Sequence, residues 1–113
     1  MNGVLVSRSA LLPAPSIVPS SGNVISRAVI VGNKARLVIP LYPGIAIGDQ
    51  VNVQILTDGQ WGFFSSATVT DVNTMIEFVL YDALFASPTT QATASYIVNN
   101  NDYSAQALYS VED

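Results

Sequence analysis

Along most of the chain, apolar and polar residues alternate with a period of two. In residues 51–55, Val51, Val53 and Ile55 fall on one face and Asn52 and Gln54 on the other. That is the pattern of a half-buried antiparallel strand, with the valines and isoleucine turned to the core. The same alternation sets Ile76, Phe78 and Leu80 against Met75, Glu77 and Val79. It also sets Ala94, Tyr96 and Val98 against Ser95 and Ile97, and Ala107, Tyr109 and Val111 against Leu108 and Ser110. No window of a dozen residues keeps three-and-four spacing without Pro, Gly or a β-branched interruption, so little helix is expected.

Turn chemistry punctuates these runs. Gly32-Asn33, between two β-branched stretches, suits a type II′ hairpin joining strands near 28–31 and 34–41. Asp58-Gly59 reads as a turn after the strand at 51–56, "DVNT" closes a strand at 67–72, and "NNND" at 99–102 separates the last two strands. About seven strands at such spacings predict an antiparallel β-sandwich. The expected core is Leu37, Ile39, Val51, Val53, Ile55, Val69, Ile76, Phe78, Leu80, Tyr96, Val98, Tyr109 and Val111. "LLPAPSIVP" at 11–19 is rich in proline, which fixes φ and removes backbone donors, so residues 1–19 read as an extended segment or edge strand. Residues 20–113 read as the sandwich domain.

Composition narrows the function classes. A chain of 113 residues fits one domain. Only 11% of it is charged, against about 25% in ordinary soluble proteins, so the surface is neutral and polar. With a net charge of −4, and only Arg8, Arg27, Lys34 and Arg36 positive, no basic stripe exists to neutralise a phosphate backbone, and nucleic acid is not an expected partner. Cysteine and histidine are both absent, which removes thiolate chemistry, Ser-His-Asp catalysis and ordinary zinc sites. No cofactor or metal is expected, and no apolar run reaches the length of a membrane-spanning helix. The first residues carry no basic group ahead of their apolar cluster, and Arg8 interrupts the apolar stretch that a signal-peptide core would need. The expectation is either no export by a signal peptide, or a mature chain or excised module behind an added Met.

"LPAP" at 12–15, "VIPLYPGIAIGDQVNVQI" at 38–55, "ASYIVNN" at 94–100 and "ALYSV" at 107–111 together resemble the Ig-like modules of large bacterial surface and adhesin-like proteins. Those modules carry a V-x-V-P-x-Y-x-G-M-x-x-G-D-x-V corner, matched here by Pro40, Tyr42, Gly44, Gly48 and Asp49, with Pro43 beside them. They commonly place an aromatic at the end of the strand after Gly-Asp, where this chain has Ile55-Leu56 and reaches Trp61 only later. The resemblance implies an Ig-like sandwich and a non-enzymatic binding or spacer role at the cell surface or outside the cell.

Few residues offer chemistry of their own. Asp49 reads as a cap that accepts backbone N–H bonds at the corner, or as a metal or ligand contact. Tyr42 reads as a packed ring with its hydroxyl tied to the backbone, or as a contact residue. Trp61, with Phe63 and Phe64 after it, reads either as a plug between the sheets or as an exposed cluster that stacks on a sugar or anchors a protein. "NNNDYS" at 99–104 resembles the acidic loop of small calcium-dependent bacterial lectins, which makes Asn100, Asp102 and Tyr103 candidate contacts. Asp102 is the loop's single carboxylate, so calcium would need Asp49 or Asp58 to converge on it. Most carboxylates sit in turns or at the terminus, and Glu77 reads as an edge charge, so no enzyme is expected. The partner classes left open are a protein, a glycan, as for a small lectin, or further copies of the chain in a self-assembling structural subunit.

Overall fold

The computed structural model describes residues 11–113, which form an all-β sandwich. Residues 1–10, with Arg8 and the first part of the proline-led segment, lie outside the described residues. The strands are β1 (Ser16–Val18), β2 (Val24–Ser26), β3 (Arg36–Ile39), β4 (Gln50–Thr57), β5 (Phe63–Thr68), β6 (Ile76–Val79), β7 (Gln91–Val98), β8 (Asp102–Tyr103) and β9 (Ala107–Glu112). One sheet has the order β1-β3-β6, and the other β2-β9-β7-β4-β5 with β8 added to β7. Pairing is antiparallel except between β2 and β9.

The alternating segments become strands because each has an apolar face to bury against the other sheet. Val51, Val53 and Ile55 of β4 and Ala92, Ala94, Tyr96 and Val98 of β7 meet Ile17, Leu37, Ile39 and Leu80 in one core. Phe85, in a short 3-10 helix (Asp82–Phe85), is fully buried there too. Ile76 and Phe78, expected in the core, are half-buried against its margin. The cross-sheet tie is polar: the Tyr109 hydroxyl of β9 accepts a buried hydrogen bond from the Ile17 N–H of β1 at 2.9 Å.

Three expectations about the elements themselves change. Residues 27–30 form a single helical turn, α1 (Arg27–Ile30), in place of a strand. Gly32 (φ +90°) and Asn33 (φ 59°) end that turn, and their N–H groups donate to the Asp82 carboxylate at 2.8 and 2.9 Å. The Asn33 side chain returns the bond by accepting from the Asp82 N–H at 2.9 Å, so a clamp replaces the hairpin. The strand expected at 67–72 runs instead from Phe63 to Thr68, because β5 pairs along most of the length of β4, from Ile55↔Phe63 to Gln50↔Thr68. Two strands too short to show periodicity, β2 and β8, raise the count beyond seven.

The corner at 40–49 joins β3 to β4 across the two sheets. Pro40 and Pro43 leave β3 with a restricted backbone, and Gly44 (φ +80°) and Gly48 (φ +96°) take left-handed conformations that other residues resist. The Tyr42 hydroxyl donates to the Asp49 carboxylate at 2.7 Å, a side-chain partner where a backbone one was expected. Its ring is buried 6.0 Å from that of Tyr96.

Candidate functional site

Cross-strand register places a set of side chains on the outer face of the larger sheet. Residues directly opposite one another in a ladder share a face. One row runs Ser66, Asn52, Ile97, Tyr103 through β5, β4, β7 and β8, and the next runs Phe64, Gln54, Ser95. With Gln106 and Ser104 beyond β8, these rows line an open groove of about 650 Å3. Phe64 and Tyr103, 66% and 63% exposed, stand on its opposite flanks. Three inter-strand gaps separate their strands, a span of about 14 Å at about 4.8 Å each.

Asn and Gln amides each present donors and an acceptor, and serine hydroxyls do both. Asn52 gives one hydrogen bond, to the Asn100 side chain at 3.3 Å, and the Gln54 side chain has no hydrogen-bond partner among the described residues. No lining residue is charged. Tyr96 closes the groove from below and is buried there. Its hydroxyl donates to the Pro13 carbonyl at 2.7 Å, and burial pushes its pKa up to about 12, so it stays protonated. Ser104 positions β8 by accepting from the Tyr96 N–H at 2.9 Å.

The candidates read from sequence are dispersed. Tyr103 lies in the groove, and Asn100 touches its floor through Asn52. Trp61 is 60% exposed, which removes the plug between the sheets, yet it is not among the groove-lining residues. Phe63 turns inward and packs edge-on against Phe78 of the other sheet, with ring centroids 6.2 Å apart. Asp102 is exposed and accepts a bond from the neighbouring Asn101 side chain. Of the three-residue aromatic cluster at 61–64 only Phe64 reaches the groove, and the groove residues that sequence reading misses, Ser66, Gln54 and Asn52, are signalled by the polar half of the alternation in β4 and by Phe64-Ser66-Thr68 in β5.

The carboxylates that calcium would require are engaged elsewhere. Asp49 accepts from the Tyr42 hydroxyl, from the Ala46 N–H at 3.1 Å and from the Asn99 side chain at 3.1 Å. The Tyr42 bond is the main cause that holds the Asp49 pKa below its ordinary value, while burial, with the same bond, raises that of Tyr42. Asp58 accepts from the Thr90 hydroxyl and from the N–H groups of Thr90 and Gln91 at 2.8 and 3.0 Å, which brings its pKa down to about 2. Among the described residues no group of three acidic side chains comes together, and no helix is long and apolar enough to cross a membrane.

No family model, curated protein or solved structure matches this chain.

Proposed function

We propose that this chain is a non-enzymatic, Ig-like binding module of a bacterial surface or secreted protein, and that it binds a neutral glycan in the groove on the outer face of its larger sheet. The strand order supports the first part. β3 and β6 are neighbours in one sheet, β9, β7 and β4 form the other in that order, and β5 extends it, as in Ig-like sandwiches that lengthen this sheet beyond the fourth strand. The groove supports the second. An uncharged floor of amides and hydroxyls around Ile97 matches a ligand whose polar groups both donate and accept, and flanking rings offer flat apolar faces to the C–H side of a sugar. The span between Phe64 and Tyr103 suits an oligosaccharide better than a single ring.

The single observation that carries the reading is that the Gln54 side chain, between two exposed aromatic rings, has no hydrogen-bond partner among the described residues. Binding to a broad array of neutral oligosaccharides tests it. The expected result is binding that falls at least about tenfold, some 1.4 kcal/mol, in Phe64→Ala and Tyr103→Ala. Silence of the wild-type chain on the array would overturn the ligand, and binding indifferent to both substitutions would overturn the groove.

A further inference from the structure

A strand at the edge of a sheet offers unpaired N–H and C=O groups to any other strand unless something blocks them. Most edges of this molecule are blocked. β1 is three residues long and lies between Pro15 and Pro19, β2 is equally short and runs directly into α1, and β6 exposes Glu77. β8 has two residues, one of them Asp102. β5 has none of these devices. It is six residues long, FFSSAT, without charge or proline, and is the last strand of its sheet among the described residues.

We propose that β5 is the surface through which two copies of this chain pair, edge to edge and antiparallel, about a two-fold axis at Ser65. The choice of partner comes from the strand itself. Opposed residues in an antiparallel pair share a face, so an axis at Ser65 puts Phe64 of each copy opposite Ser66 of the other, and Phe63 opposite Ala67. On both faces each aromatic ring then meets a small side chain, and residues 63–67 pair without leaving β5. No like charges are brought together within the strand, although the chain carries −4 overall. Asp58 and Asp71, which flank β5 in sequence, lie outside it and are held by Thr90, Gln91, Asn73 and Thr74. The sheet becomes continuous through both copies, and the Phe64 flanks of the two grooves stand side by side. The pairing does not depend on what the groove binds.

Sedimentation equilibrium of the full chain, from micromolar to millimolar, is expected to rise with concentration from 12.0 kDa to twice that mass. A particle fixed at 12.0 kDa overturns the pairing. Ser65→Lys sets like charges directly opposite each other and is expected to return a folded monomer, checked by circular dichroism; a dimer that survives it overturns the axis. Ser65→Cys introduces the chain's sole thiol, and on treatment with oxidised glutathione, which takes up the two electrons and is reduced to two thiols, it is expected to form a disulfide-linked dimer. Opposed residues in an antiparallel pair have Cα atoms about 4.5–5.5 Å apart, within a disulfide's reach. Cross-linking through Ser66→Cys but not Ser65→Cys overturns the proposed register.

Discussion

The two faces of β4 differ in how far the molecule itself accounts for them. Inside, Val51, Val53 and Ile55 are buried against the opposite sheet, and the fold explains each one. Outside, Asn52 and Gln54 occupy the alternate positions; among the described residues Asn52 donates one side-chain hydrogen bond, to Asn100, and Gln54 makes none. One strand thus carries a face spent on folding and a face left for something else. A residue whose capacity the fold already consumes says little about function, and the reverse holds for Gln54.

The contrast is broken most visibly at Ile55. Ile55→Ala is expected to cost about 2–5 kcal/mol in urea denaturation, because a fully buried branched side chain leaves a cavity that its neighbours fill only in part. A loss below about 0.5 kcal/mol, the range of ordinary surface changes, would mean that the inner face does not hold the sheets together.

Asp58, just beyond the end of β4, gives a smaller and pH-dependent effect. Its folded pKa of about 2 lies below the unfolded value of about 3.9. As pH falls through that window the unfolded chain takes up a proton that the folded chain does not, so the stability contributed by the Asp58 bonds is present above about pH 4 and lost toward pH 2. Asp58→Asn is expected to lower the melting temperature at neutral pH and to flatten the acid side of its pH dependence. Asp49 and Asp71, shifted in the same direction, keep part of that slope. An unchanged acid profile would show that the clamp on Thr90 and Gln91 contributes nothing.

The smallest stability effect is expected at Gln54. Gln54→Ala should stay within about 0.5 kcal/mol of the parent while weakening glycan binding in calorimetry. A large destabilisation would erase the contrast between the two faces.

Much of this was legible in the residues, for physical reasons that also mark where legibility stops. The inward positions of β4, β7 and β9 come from period two, since burial on one face leaves that trace directly. α1 left no such trace. Its β-branched residues read as strand, and what bends the chain there is the Asp82 carboxylate, some fifty positions downstream. The outward polar positions of β4 were visible, but their joining with Phe64 and Tyr103 depends on the order β5-β4-β7-β8, which no local pattern encodes. Phe63-Phe64 shows the same limit: one ring goes in and one out, and only the register with Ile55 and Gln54 decides which.

The parallel pairing of β2 with β9 has a mechanical consequence. Val24, Ile25 and Ser26 run beside Ser110, Val111 and Glu112 in the same direction. Tension between the chain ahead of Val24 and the chain beyond Glu112 therefore drags the two strands past each other. The ladder's evenly spaced bonds resist such sliding together, whereas a hairpin pulled from its open end would release them in turn. Under load this short seam would be sheared only after β1, which lies ahead of it in the chain, had been loaded against β3.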